Sequence, residues 1–325
     1  RDYAVTGVQT CALPISLGAS LTEIWAADHL GNRKNVCLRY NSYGDYLENP
    51  YYLGCTIGRT AGRTHKGKVS IDGAEVALDT KRHAHALHGG PEGLSFVNWK
   101  VEKAEDHHII LAYDDLAAPG KSPGNLKCHA HFELVGDEGF KVTYVGSVDQ
   151  KTYLNLTNHC YFNLSDQGLT DQHLLINAYG YGQLDEESVL INASDWLVEP
   201  YDFKALSPLL SILDRGIDHP FALVQAELNH PQIEPTPAQI ELAHPASGRA
   251  LRIWTNQKAA VVYTGNYLGS GASPSGQRFK HQQGICFETQ EMPNLPNLVA
   301  DYLWTTPDKP YRHETIYDFG TTKVE

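Results

Sequence analysis

Short runs of alternating or β-branched residues, divided by turn residues, dominate the chain. LTEIWAAD, KVSIDG, AEVALD, HHIILAY, KCHAHFELV, FKVTYVGSV, TYLNLTNHCYF, HLLINAYGY, QIELAHP, ALRIWT, AVVYTGNYL, GICFETQ and ETIYDF each predict a strand. Asp72-Gly73 predicts a tight hairpin between two of them. Helical periodicity is sparse. Residues 202–213 (DFKALSPLLSIL) could hold one short helix, limited by Pro208. Many strands with few helices predict an all-β fold, a large sandwich or barrel. Strands and helices do not alternate, which disfavours Rossmann-like and TIM-type sheets. HPQIEPTP, at 230–237, reads as a surface loop inside one domain, because strands continue on both sides.

Composition adds exclusions. Of 325 residues, 42% are hydrophobic and 20% charged, enough for a substantial core. The 38 acids against 26 bases leave a net charge of −12, which argues against a nucleic-acid footprint. No apolar run reaches the length a bilayer demands. Six scattered cysteines without a CxxC pair read as reduced thiols of a cytoplasmic protein. Three N-x-S/T sequons, at Asn155, Asn163 and Asn192, read as accidental. The start, RDYAVTGVQTCALPIS, has no initiator Met and is similar to translated adapter sequence. The expectation is a non-native leader over residues 1–16 and a single domain over 17–325. The plain alternative is an ordinary leading strand, VTGVQT.

Four segments carry candidate chemistry. His83 and His85 would share one face of a strand and could hold zinc, with His88 close behind; polar loop residues are the simpler reading. The segment GRTAGR (residues 58–63) places two arginine forks beside glycines that admit a ligand; a solvated turn is its alternative. TNHCYFNL (157–164) groups amides, an imidazole and two aromatic rings, a mixture suited to a sugar pocket. His159 would be a general acid there, or a core histidine bonded to backbone. Glu288 interrupts the apolar strand GICFETQ; partial burial would make it a better base, unless an arginine pairs it.

Taken in order, GRTAGR, LHGGPEG, SPGNL, TNHCYFNL, DHPF, YTGN and GICFETQ resemble the aldose 1-epimerase (galactose mutarotase) family, from about residue 18 to 319. The resemblance implies a large antiparallel β-supersandwich with the sugar in a cleft on its concave face. It implies interconversion of the α and β anomers of free aldoses such as galactose and glucose, with no cofactor and no metal. Glu288 matches the family's general base and His159 its general acid. Arg63, His88 and Asp218 match positions that bind sugar hydroxyls. The implied partner is a small-molecule sugar, with no nucleic acid and no membrane, for a monomer or homodimer. Two departures remove polar groups near the expected sugar: Gly62 stands where the family commonly has Asn, and Val261 where it often has Gln. Three other readings use the same residues. A hexose-6-phosphate epimerase would draw on Arg59, Arg63, Lys66 and Lys68. A non-catalytic sugar-binding protein would bind without turnover. A cupin-like metalloenzyme would use His83, His85, His88 and Glu288.

Overall fold

The computed structural model describes residues 5–6, 11–81, 83–226, 228 and 237–322. HPQIEPTP lies outside them except for Pro237. Two sheets form the body. A nine-stranded sheet runs through Lys100–Glu105, His108–Asp115, Leu126–Val135, Gly139–Val148, Tyr311–Asp318, Arg249–Thr255, Ile240–His244, His173–Ile176 and Ser207–Pro208. A five-stranded sheet runs through Tyr161–Phe162, Ile285–Gln290, Ala259–Tyr263, Asp218–Leu223 and Ala178–Tyr181. Every ladder between these strands is antiparallel. The fold is all-β, as the strand pattern predicts.

Alternation along each strand decides where the core lies. On Ile285–Gln290, Ile285 and Phe287 join the main core, while Glu288 lines a cavity on the opposite face. The neighbouring strands follow suit. Ala260 and Val262, and Phe221 and Leu223, enter the core, while Val261, Tyr263, Asp218 and Pro220 line the cavity. Phe132, Phe140 and Tyr317 of the nine-stranded sheet belong to the same core cluster as Phe162, Phe221 and Phe287 of the five-stranded sheet. Burying each such ring stabilises the fold by roughly 1.5–3 kcal/mol. The five-stranded sheet thus offers one face to the core and the other to the cavity.

The Asp72-Gly73 hairpin is present, joining Lys68–Ile71 to Ala74–Ala77. Its two turn residues have φ of +52° and +81°, the left-handed values that a two-residue hairpin loop favours. The short helix expected in 202–213 reduces to a single 3-10 turn, Leu209–Ser211, behind a two-residue strand at Ser207–Pro208. Proline has no N–H to continue a helical ladder, so the turn begins only after it. Residues 1–4 and 7–10 of the expected leader lie outside the described residues. Cys11–Ile15 pairs with Ser20–Ala27 in a separate four-stranded sheet.

Candidate active site

Glu288 lies directly opposite Val261 in the ladder between Ile285–Gln290 and Ala259–Tyr263. Its residue is 2% exposed. Oε1 is 3.4 Å from Nε2 of His159, and Oε2 has no hydrogen-bond partner among the described residues. Burial pushes the Glu288 carboxyl well above the usual range. The negative charge of Asp218 pushes the same way, and Arg63 opposes both.

His159 follows the two-residue strand Thr157–Asn158, which pairs with Thr56–Ile57. Its backbone is pinned at both ends: its N–H donates to the Cys55 carbonyl, and its carbonyl accepts from Gly54, each at 2.9 Å. Tyr161, His88, Tyr52 and Tyr263 surround the ring at centroid distances of 5.1, 5.5, 5.9 and 6.4 Å. On the side away from Glu288, Nδ1 lies 3.5 Å from the Cys286 sulfur. Burial lowers the imidazole pKa to about 4, opposed by a hydrogen bond to its own backbone.

His88 and Arg63 arrive together because Arg63–Thr64 pairs with Ala86–Leu87. The Gly62 N–H donates to Nδ1 of His88 at 3.2 Å, and the His88 N–H donates to the Gly62 carbonyl at 3.2 Å. This clasp needs close backbone approach. At Gly89, where φ is +80°, an added Cβ would lie 2.0 Å from the Gly58 carbonyl oxygen. Burial, with His159 and Arg63 beside it, holds the His88 pKa well below its usual value. Asp218 opens its strand opposite Tyr263. Burial raises its carboxyl pKa, and Arg63 pulls it back.

One cavity of about 340 Å³ brings together all five residues singled out from the sequence: Glu288, His159, Arg63, His88 and Asp218. Tyr52, Tyr161, Tyr263 and Tyr267 supply aromatic walls. Of the adjacent rings in TNHCYFNL, Tyr161 faces this cavity and Phe162 the core, as strand alternation requires. Sequence reasoning missed Leu184, Ser188 and Leu190, which line the cavity from a turn closed by a Leu184–Leu190 bridge. Their one signal was a pair of leucines flanking the acidic turn at Asp185–Glu187.

Other expectations require correction. His83 and His85 share no strand, since pairing begins at Ala86. His83 lines the cavity, but Nδ1 of His85 accepts from the Lys66 N–H at 2.9 Å and its Nε2 faces Glu187 at 3.3 Å. Arg59 is turned into the protein, 2.6 Å from Asp115. Lys68 pairs with Glu75 on the surface. Arg63 is the one lysine or arginine among the described residues lining the cavity, so the basic cluster suited to a sugar phosphate is not assembled there. The potential ligand atoms of His88, His159 and Glu288 lie within 4.8 Å of one another, a spacing at which the three could also hold a metal ion. Gly62 has φ of +74°, and a Cβ there would lie 2.6 Å from Cβ of Pro293. Proline therefore occupies the room that a larger residue at 62 would need. Val261 leaves an apolar patch beside Glu288, continued by Pro220.

A profile of the family described as "Aldose 1-epimerase" matches residues 7–318. Galactose mutarotase of Rattus norvegicus is 31% identical over 319 residues, covering 94% of this chain and 90% of that protein. Aldose 1-epimerase of Haemophilus influenzae is 30% identical over 265 residues, covering 78% of this chain and 75% of that protein. Among solved structures, a GalM/aldose epimerase homologue from C. elegans superposes with a TM-score of 0.90 at 20% identity, covering 99% of both chains. That likeness shows a shared fold.

Proposed function

The chain belongs to the aldose 1-epimerase family and is an isomerase; from that premise we propose that Glu288 and His159 interconvert the α and β anomers of free aldohexoses such as galactose and glucose. One observation carries this reading. A buried carboxyl oxygen without a hydrogen-bond partner among the described residues stands beside an imidazole nitrogen at a sugar-sized cavity. A group so costly to bury unpaired is suited to a partner that arrives with the substrate.

The chemistry follows from the two directions of pKa shift. Raising a carboxyl pKa makes its carboxylate a stronger base. Lowering an imidazole pKa makes its imidazolium a stronger acid. Glu288 as carboxylate takes the proton of the anomeric hydroxyl. His159 as imidazolium gives a proton to the ring oxygen as the C1–O5 bond breaks. The open aldehyde then turns about C1–C2, and the ring closes on the other carbonyl face. On closure Glu288 returns its proton and His159 recovers one, so both groups end as they began.

Arg63, His88 and Asp218 hold hydroxyls away from C1, leaving that rotation free. Fixing the rest of the sugar contributes several kcal/mol by orientation alone. The tyrosine walls cover the sugar's C–H face. The five free buried cysteines among the described residues support a cytoplasmic setting.

Polarimetry tests the proposal. Freshly dissolved α-galactose and α-glucose should lose their excess rotation faster with the protein, and Glu288→Ala should remove the acceleration. Faster turnover of glucose 6-phosphate than of glucose would favour the sugar-phosphate reading instead. Binding of sugar without acceleration would overturn catalysis.

A further inference from the structure

The reaction leaves one nitrogen of His159 unassigned. Nε2 faces Glu288 and the cavity, and it must both give and recover a proton there. For that cycle to close, the other nitrogen, Nδ1, must keep its hydrogen throughout. If Nδ1 lost it, the neutral ring would carry its proton on Nε2, and Nε2 could not take one back.

Among the described residues, the side-chain partner of Nδ1 is the Cys286 sulfur, at 3.5 Å. Cys286 has no exposure and lies two residues before Glu288, on the same face of the same strand. It pairs in register with Tyr161 on one side and Tyr263 on the other, both of which pack against the His159 ring. One strand therefore carries the proposed base and also the group behind the proposed acid. We propose that Cys286 is a positioning residue: its sulfur accepts a hydrogen bond from Nδ1–H of His159 and fixes the tautomer that presents a bare Nε2 to Glu288.

This inference rests on the proposed acid and base roles and deepens them. The choice of a sulfur has a chemical consequence. The ring's bond to its own backbone already offsets part of the effect of burial; a carboxylate at Nδ1 would stabilise the imidazolium further and weaken it as an acid. A thiol sulfur is a weak acceptor: it sets direction while adding little charge stabilisation. Burial, with Glu288 and other negative groups nearby, raises the Cys286 pKa well above its usual value, so the thiol stays neutral. Burial favours the proton on Glu288 over His159, across the 3.4 Å that separates Oε1 from Nε2. Passage of that proton to Nε2 converts carboxyl plus imidazole into carboxylate plus imidazolium, the pair that the reaction uses. The number of protons is unchanged.

The test uses the full chain with 15N-labelled histidine, the His159 signals being assigned by their loss in His159→Gln. At neutral pH the nitrogen shifts should report a hydrogen on Nδ1 and none on Nε2. Cys286→Ala should mix the two tautomers and lower kcat about tenfold with KM within about twofold, the usual scale for losing an orienting partner. Cys286→Ser should restore the tautomer and most of kcat. A hydrogen on Nε2 in the unaltered protein would overturn the inference, and so would an unchanged tautomer and kcat in Cys286→Ala. The wild-type spectrum decides even if the alanine variant fails to fold. Absence of wild-type turnover would instead overturn the proposed function, which the spectrum alone does not measure.

Discussion

Two arginines four residues apart in GRTAGR end in contrasting surroundings. Arg59 is 4% exposed, and its donors are matched: Nε meets Asp115 Oδ2 at 2.6 Å, Nη2 the Asp115 carbonyl at 2.7 Å, and Nη1 the carbonyls of Ser122 and Gly124 at 2.5 and 2.8 Å. Lys121 takes the second oxygen of Asp115 at 2.6 Å. Arg59 of GRTAGR thus forms a closed ion pair with Asp115 of the large sheet, and the carbonyls of SPGNL complete its hydrogen bonds. Arg63 is half-buried at the cavity, among groups that are not closed off. There Glu288 keeps an oxygen without a hydrogen-bond partner among the described residues, and Asp218 and Glu288 are both pushed up by burial. Burial of charge is common to both places. Completion of its hydrogen bonds marks structure, and incompletion beside a cavity marks chemistry.

Substitutions at the two places should separate rate from stability. Glu288→Gln keeps the shape and removes the proposed base, so kcat should fall about 10²–10⁴-fold. Its urea midpoint should hold or rise, since a costly buried carboxyl is gone. Arg59→Met should do the reverse. Stranding Asp115 costs about 3–5 kcal/mol of stability in urea titrations, while kcat of the folded protein stays level. A rate loss in Arg59→Met at unchanged stability would dissolve the contrast.

Acid titration sharpens it further. His159 and His313 are buried, with pKa values of about 4 and about 3 against the ordinary 6.5. The unfolded chain binds these protons more readily than the folded one, so stability should fall as pH drops from about 6.5 towards those values. His313 is bonded to Leu156, Thr289 and Thr315 between the sheets. His313→Gln should therefore flatten the slope of stability against pH, even where it lowers stability at neutral pH. Glu288 acts in the opposite sense. Its raised value means the folded state holds its proton more tightly, so its contribution declines as pH rises from the ordinary 4.5 through the raised value.

The smallest effect is a shift in the rate profile. The proposed pair works with one proton between Glu288 and His159, so kcat/KM should fall as pH rises through the raised value of Glu288. Asp218→Asn removes the like charge that helps to raise it. The falling limb should then move to lower pH while KM increases through loss of a hydroxyl contact. A limb that stays in place would show that Asp218 does not act on Glu288.

Much of this was legible in the chain because it depends on local rules. Period-two alternation marked Ile285–Gln290 and Ala259–Tyr263, and the single carboxylate in GICFETQ stood out because an apolar strand tolerates none without a reason. The predicted run AVVYTGNYL is shorter as a strand, ending at Tyr263 where Thr264 and Gly265 begin a turn. Long-range partners were not legible. Nothing in GRTAGR distinguishes Arg59 from Arg63, because Asp115 and the SPGNL carbonyls arrive from another part of the chain. The HxH spacing of His83 and His85 promised a shared face, but that promise holds only on a strand, and the backbone there bends instead. Cys286 looked like one more core thiol, since its imidazole partner is 127 residues away in sequence.

The most direct test of the central claim is a double-mutant cycle in anomer-exchange NMR, with Glu288→Gln, His159→Gln and the two combined acting on galactose. If both groups serve one ring-opening event in one cavity, the double variant should lose about as much rate as the worse single variant. If the two losses multiply, the groups act independently, and the account of a shared proton pair across a single sugar ring is contradicted.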